Sequence, residues 1–388
     1  MSAWGLFSSF LVFLLGAAIS LSIRRRFNLS LSRCFTLYIW HSAFCLVYAR
    51  YVISYGGDAA NYYQFSLNGM PSFGLGTDAV VFFTYFLSTG FSLSFLGVSL
   101  VFNLFGFLGL LAFDGSLREA TVDKSKSIRI LATVLVFLPS VSYWSSGIGK
   151  DSLSFCAAGL ALWAALDLRR RWLIVAFSIL IMLLVRPHMA GILALALAGA
   201  FIFKTGVSLF QRFSLGILAF SAALLLVPLG LNYAGVEDGA GPAEIIEFVE
   251  KRQNYNQDGG GAVQISQMSL PVKMFTYLFR PTILEIRNLF SLAASVDNLI
   301  LLLLVFAGSF ALVKRSSHFV RSTHNRHFLW IYVFLSWILL SMTTANLGIA
   351  LRQKWMFVPM LIFLLISVVG RPGKRITPSS RKLGQPNV

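Results

Sequence analysis

Charged residues are scarce in this chain. Only 12% of its 388 residues are Asp, Glu, Lys or Arg, whereas 57% are hydrophobic. A soluble domain carries about 25% charged residues, so this chain has too little polar surface to coat a water-soluble globule of its size. The composition excludes a cytosolic enzyme, a nucleic-acid-binding module and a disordered protein, and it favours a polytopic membrane protein.

Cysteines are few, and common catalytic motifs are missing. The three cysteines lie in apolar runs without CxxC spacing, so we interpret them as small buried residues. The sequence has no HExxH motif, no GxSxG motif and no cluster with metal-ligand spacing. SGIGKDS resembles the end of a phosphate-binding loop, but Trp144 replaces the first glycine of that motif and Asp151 follows the lysine. We therefore predict no metal site and no cofactor.

Long apolar runs are abundant. A membrane-spanning helix needs about 20 mostly apolar residues. Eleven runs approach this length, at 3–22, 35–55, 92–113, 130–147, 152–167, 172–187, 189–203, 213–232, 289–313, 328–346 and 355–370. A further apolar run, 77–90, is too short to span, and we expect an interfacial or re-entrant helix there. The sequence therefore predicts an all-α fold, a polytopic membrane helical bundle that forms a single transmembrane domain over 1–370.

Basic residues outnumber acidic ones, 32 to 15. When residues 24–26 are placed in the cytoplasm and the spans alternate, one side carries +18 and the other −1, which together give the net charge of +17. This asymmetry follows the positive-inside rule. We expect the N-terminus outside and the C-terminus inside. Because topology accounts for the whole excess charge, no nucleic acid partner is predicted.

Two extracytoplasmic segments are long enough to form a site. The first is 56–91, and the second is 233–288, in which 241–255 has helical spacing after Pro242. The tail 371–388 is basic and rich in Pro and Ser, and we expect it in the cytoplasm against anionic membrane lipids.

Charges that the topology rule disfavours lie at the outer ends of the predicted spans. They include Asp58, Lys150, Asp151, Arg186, His188, Arg280, Glu285, Arg352 and Lys354. We expect the five segments that carry them to converge on one face, where cations beside a few acids suit a phosphate or pyrophosphate, such as that of a lipid-linked substrate. Alternative interpretations remain open: Arg and Lys side chains can extend to headgroups, Lys150 and Asp151 can neutralise each other, His188 can cap a helix, and His41 can be a packed core residue.

Of four islands of sequence, the first two resemble EpsG-like and Wzy-like membrane proteins of bacterial polysaccharide assembly, the third resembles a segment of related polytopic proteins, and the fourth is similar to a last-span motif of integral-membrane glycosyltransferases. The four islands are Gly57-Asp58 with Tyr62-Tyr63, followed by FSLSFLGVSLVFNLFGFLGL; LPSVSYWSSGIGKDSL; LFRPTILEIRNLFSLAASVDN; and ALRQKWMFVPMLIFL. The resemblance covers scattered stretches of 50–370. Glycosyltransferases of the GT-C type usually place an acidic residue in the first extracytoplasmic loop, and Asp58 matches that position by loop, here after the second predicted span.

The resemblance implies a polysaccharide polymerase or glycosyltransferase of the bacterial inner membrane. Its substrate would be a polyprenyl-linked oligosaccharide, and other polysaccharide assembly proteins would be its partners. The predicted roles are a general base (Asp58 or Glu285), cations that hold the leaving phosphate (Lys150, Arg186, Arg280, Arg352) and aromatic rings that stack on sugars (Tyr62, Tyr63, Tyr143, Trp144). Two other hypotheses stay open: a transporter or flippase of lipid-linked glycans, and a non-catalytic subunit of an export complex.

Asp58 has three possible roles from sequence alone. Its carboxylate can take a proton, accept a hydrogen bond from a sugar hydroxyl, or cap the N-terminus of a helix. Tyr62 lies four residues later, so the two side chains share one face if a helix begins at Asp58.

Overall fold

The computed structural model describes residues 2–202, 261–314 and 325–370, together with scattered positions between 210 and 253. The regular elements of these parts are all helices, as the sequence predicts, and one isolated β-bridge joins Ala262 to Asn346. The α-helices that the text uses are α1 Ala3–Ile23, α2 Leu31–Tyr55, α3 Asp58–Leu67, α4 Thr77–Tyr85, α5 Phe95–Thr121, α6 Lys126–Val136, α7 Pro139–Ser145, α8 Lys150–Ala165, α9 Leu168–Val185, α10 Pro187–Ile202, α11 Leu270–Phe279, α12 Leu289–Val313, α13 Arg326–Thr343, α14 Leu347–Gln353 and α15 Val358–Val368. A π-helical turn covers Phe86–Gly90, and 3-10 turns cover Arg24–Phe27, Ile283–Glu285 and Lys354–Met356.

Local sequence signals set where many of these helices begin. Ser30 and Ser94 cap α2 and α5, because each side chain accepts a hydrogen bond from a backbone N–H of the first turn. Asn288 caps α12 in the same way. Pro139 and Pro187 are the first residues of α7 and α10, where the missing N–H of proline has no helical partner to lose.

Helix α5 lies at the centre of the bundle and packs against α1, α2, α6 and α8. Its contact with α8 is close because two glycines face each other. A Cβ atom added at Gly159 would lie 2.3 Å from the Gly109 carbonyl oxygen, so any side chain there would force the helices apart. Small residues at such crossings let helix backbones approach closely in membrane proteins.

Several helices are long and apolar enough to cross a membrane, as expected of a multi-pass membrane protein. Five qualify among the described residues: Ala3–Phe27, Phe95–Thr121, Lys126–Ser145, Leu289–Val313 and Arg326–Thr343. A sixth is the pair Leu347–Met356 and Val358–Val368, which is bent by 64°. Large apolar side chains on the outer faces are exposed, for example Phe10 at 60% and Phe306 at 66%, and such surfaces suit contact with lipid.

The eleven predicted spans are thus confirmed only in part. The predicted spans 152–167 and 189–203 correspond to α8 and α10, which have 16 residues each. The predicted span 130–147 corresponds to the candidate span Lys126–Ser145, within which Pro139 begins a new helix after α6. Most of 213–232 and of 241–255, and all of 371–388, lie outside the described residues.

Candidate functional site

Four charged side chains from distant parts of the chain form one connected group, which we name the charge cluster: Asp58, Asp151, Arg186 and Arg352. Arg352 Nη1 donates to Asp58 Oδ2 at 2.8 Å. Arg352 Nε lies 3.7 Å from Asp151 Oδ2, and Arg186 Nη2 donates to Asp151 Oδ1 at 2.5 Å. Acid and base therefore alternate from Asp58 to Arg186.

Helix ends place all four residues at the same end of the bundle. Asp58 begins α3 directly after Gly56 and Gly57, and Asp151 lies in the first turn of α8. Arg186 separates α9 from α10, because Pro187 disfavours helical backbone at the residue before it. Arg352 lies in α14.

The opposite end of the bundle carries its own ion pair. Arg33, at the start of α2, binds Asp114 near the end of α5 through two hydrogen bonds of 2.8 and 3.1 Å. Each end of the bundle therefore holds charged residues that pair across long distances in sequence, and the Arg33–Asp114 pair is separate from the charge cluster.

Exposure differs along the cluster and divides its members into two kinds. The side chain of Asp58 is 50% exposed and that of Arg352 27%, whereas those of Asp151 and Arg186 are 18% and 9% exposed. Two arginines balance two carboxylates, so the expected excess of cations is not found within the cluster itself. The Nε atoms of Arg186 and Arg352 are buried and have no hydrogen-bond acceptor among the described residues.

The position of Asp58 decides one of its three possible roles. Helix α3 begins at Asp58, its N-cap is Gly57, and no side chain caps it. The N-cap hypothesis is therefore wrong, since the Asp58 carboxylate binds Arg352 instead. The shared face with Tyr62 does exist, because the helix begins where that prediction requires.

Several tyrosines lie in the electrostatic field of the cluster, among them Tyr62, Tyr48 and Tyr277. Burial, and then the negative charges of Asp58 and Asp151, raise the pKa of Tyr62 to about 12. Tyr62 thus keeps its proton at neutral pH and can donate a hydrogen bond. Tyr48 interacts electrostatically with Asp151, Arg352 and Asp58.

The first glycine of the WSSGIGKD segment, Gly147, is required by the Tyr48 ring. A Cβ atom at Gly147 would lie 2.1 Å from two ring carbons of Tyr48. Only glycine therefore lets the turn before α8 lie against this ring, next to Asp151.

Aromatic side chains gather beside Tyr48. The Tyr143 ring contacts Tyr48 at 5.3 Å and Trp144 at 5.0 Å between ring centroids, both edge to face. It also contacts Phe290 at 5.5 Å. Tyr143 is buried among these rings, at 7% exposure, and stacking of Trp144 on a sugar stays a prediction. Tyr63 differs, because its hydroxyl donates to the Leu93 carbonyl at 3.0 Å and its ring packs on Phe95, so this side chain anchors α3.

Arg280 and Glu285 form a separate pair. Glu285 Oε1 accepts from Arg280 Nε at 2.9 Å, and Oε2 accepts from the backbone N–H and the hydroxyl of Thr282 at 2.8 and 2.9 Å. The hydrogen bond from Arg280 holds the pKa of Glu285 at about 2, well below its usual range. Because both carboxylate oxygens are engaged, the geometry favours Glu285 as a helix-capping residue over a general base.

A buried polar group connects this turn to the helix that carries Arg352. Asn298 Nδ2 donates to the Pro281 carbonyl at 3.0 Å, and Asn298 Oδ1 accepts from Lys354 Nζ. Asp297 Oδ2 accepts from the backbone N–H of Ser140 at the start of α7, at 2.8 Å. Asp297 and Asn298 are not among the site residues predicted from sequence. The sequence signal that could have found them is the charge of Asp297 inside an apolar run, because a charge in a membrane is costly and marks a function or a partner.

His41 belongs to the core, as one of the sequence hypotheses held. Its Nδ1 lies 2.6 Å from Asn103 Oδ1 and its Nε2 lies 2.9 Å from Ser145 Oγ. Asn103 also donates to Ser42 Oγ at 3.1 Å. These hydrogen bonds connect α2, α5 and α7.

Two other predicted site residues lie at the starts of helices. Lys150 is the first residue of α8, and His188 is in the first turn of α10.

Within the described residues, no three His, Cys, Asp or Glu side chains gather in a way that could hold a metal ion.

Comparisons of the chain with protein-family models, with curated proteins and with solved structures found no match.

Proposed function

We propose that the protein is a membrane glycosyltransferase or polysaccharide polymerase that uses polyprenyl-(pyro)phosphate-linked sugars. The observation that carries this proposal is Asp58, a half-exposed carboxylate whose Oδ2 is held by Arg352 at 2.8 Å. Arg352 in turn is linked to Asp151 and Arg186. A half-exposed carboxylate and the partly exposed guanidinium of Arg352, at 27% exposure, therefore lie side by side.

The proposed reaction is a displacement at the anomeric carbon of the lipid-linked sugar. The acceptor hydroxyl oxygen forms a bond to that carbon, the bond between the carbon and the phosphate oxygen breaks, and Asp58 takes the hydroxyl proton. Arg352 and Arg186 stabilise the negative charge of the leaving lipid (pyro)phosphate. Trp144 and Tyr143 provide faces for sugar rings.

We further propose the complete topology on the charge distribution of the sequence. Eleven spans with the N-terminus outside put the charge cluster at the extracytoplasmic end and the Arg33–Asp114 pair at the cytoplasmic end of a bacterial inner membrane protein. The split of +18 against −1 supports this orientation.

The test compares Asp58→Asn with Asp78→Asn in cells that depend on this chain for polymer production. Both residues lie in the first turn of a helix within 56–91, but Asp78 is outside the charge cluster. General acid–base catalysis contributes about 100- to 10,000-fold, so Asp58→Asn should lower polymer production at least about 100-fold at normal membrane abundance. Asp78→Asn should stay within twofold.

An active Asp58→Asn protein would remove the base from the proposal. A variant that is inactive in cells but still moves lipid-linked glycan across proteoliposome membranes would favour the transporter hypothesis. Product formation by purified wild-type protein in the same proteoliposomes would exclude a purely structural subunit.

A further inference from the structure

An apolar groove lies directly beside the charge cluster. Its volume is about 550 Å³, and its thirteen lining residues are all apolar, seven of them phenylalanines. Pockets for small molecules span about 300–1,000 Å³ and usually include some polar groups for orientation. A groove without any polar lining suits a hydrocarbon chain.

Helices α4 and α9 and the π-helical turn contribute most of its lining, and α5 and α8 contribute Phe105 and Leu153. Phe177, Ile181 and Val185 lie at four-residue spacing on one face of α9. Ala79 and Phe82 of α4, with Phe86 of the π-helical turn, contribute the facing wall. π-Helical turns frequently occur at functional sites.

The groove begins at the level of the charge cluster and runs into the bundle. Val185 immediately precedes Arg186, and Leu153, which also lines the groove, is two residues from Asp151. From Val185 to Phe177 is eight residues of helix, or about 12 Å along the helix axis. A hydrogen bond of 2.7 Å from the Gly76 N–H to the Leu184 carbonyl fixes the segment before α4 to this end of α9.

Arg186 directly follows the lining residue Val185 and places a cation beside this end of the groove. Its side chain is 9% exposed, and its Nε has no acceptor among the described residues although Nη2 binds Asp151. The guanidinium charge of Arg186 thus lies next to the apolar end of the groove, where it can attract a phosphate group.

We propose that this groove holds the hydrocarbon chain of a polyprenyl phosphate whose phosphate group lies against Arg186. The choice of a polyprenyl chain rests on the proposed function, because the sugar donor of that reaction carries one. The groove then orients the lipid so that its phosphate reaches the charge cluster while the chain stays in apolar surroundings.

The experiment uses the full chain in nanodiscs and a polyprenyl phosphate that carries a photoactivatable diazirine about 12 Å from the phosphate, matching the helix length above. Cross-links, mapped by mass spectrometry, should fall between residues 177 and 185. Leu184→Trp fills the groove and should lower labelling at least tenfold. Leu180→Trp is the matched control, since Leu180 lies on the same helix, is 51% exposed and does not line the groove, and its labelling should stay within twofold of wild type.

If Leu184→Trp fails to fold, Phe177→Gln replaces it, with Leu180→Gln as its control, because the two residues are similarly exposed, at 48% and 51%. Equal losses in groove and control variants would overturn the proposal, as would equal labelling by phosphatidic acid with a diazirine at the same distance. Asp58→Asn should label like wild type, because it removes the base and leaves the groove intact. If the groove is labelled normally but the Asp58→Asn protein is active, only the proposed base is refuted. If the Asp58→Asn protein is inactive but the groove is not labelled, only the lipid site is refuted.

Discussion

Replacing Asp151 by Asn tests whether the charge cluster acts as one unit. Arg186 Nη2 lies 2.5 Å from Asp151 Oδ1, and the Arg186 side chain is 9% exposed, so the substitution leaves a buried guanidinium beside a neutral amide. Arg352 also loses a charged neighbour at 3.7 Å. Removing one partner of a buried ion pair costs about 3–5 kcal/mol. Because Asn still accepts a hydrogen bond, we expect the lower end, about 3 kcal/mol.

Asp58→Asn is the matched comparison, since it is the same substitution in the same cluster. The Asp58 side chain is 50% exposed, and exposed ion pairs contribute at most about 1 kcal/mol. The expected difference between the two variants is therefore about 2 kcal/mol in the free energy of unfolding.

The double variant Asp151→Asn with Arg186→Met separates pairing from packing. It removes the buried charge together with its partner, so much of the lost stability should return, with a coupling energy within about 0.5–3 kcal/mol. The assay is unfolding of the purified protein in mixed micelles titrated with sodium dodecyl sulfate, followed by tryptophan fluorescence. Equal costs for Asp151→Asn and Asp58→Asn, or additive costs in the double variant, would refute the reasoning.

Three further outcomes are expected. Gly147→Ala should cost about 1–3 kcal/mol through its clash with Tyr48, measured by the same unfolding assay, whereas Gly90→Ala, with its nearest neighbour at 3.9 Å, should be close to neutral. The folded-state pKa of Glu285 is lowered from 4.5 to about 2, so its contribution to stability should be full above pH 4.5 and lost as the pH falls towards 2. Glu285→Gln should lack this pH-dependent part of the unfolding free energy. If wild type and Glu285→Gln show the same dependence of stability on pH, the capping role is contradicted. A reporter fused at Asp58 should report the extracytoplasmic side and one fused to the C-terminus the cytoplasm, and a shared side would reverse the site assignment.

Local structure was largely predictable from sequence. Pro187 indicated where one helix ends and the next begins, because proline restricts its preceding residue whatever the surroundings. The spacing of Asp58 and Tyr62 predicted a shared helical face, and α3 provides it. The break at Pro139 was missed, because the apolar run 130–147 continues across it.

Composition alone indicated a membrane protein, since 12% charged residues cannot cover a soluble surface, and the long apolar helices of the structure are consistent with it. Sequence position also brought Asp58, Asp151, Arg186 and Arg352 forward as candidates, because charges at span ends are costly unless partnered. Only the tertiary structure decided which acid meets which base. Asp58 and Arg352 are 294 residues apart, and no local signal specifies a partner at such a distance, because pairing depends on how the helices pack. The structure also pairs Glu285 with Arg280 and Thr282, and it leaves Asp58 as the half-exposed carboxylate of the charge cluster.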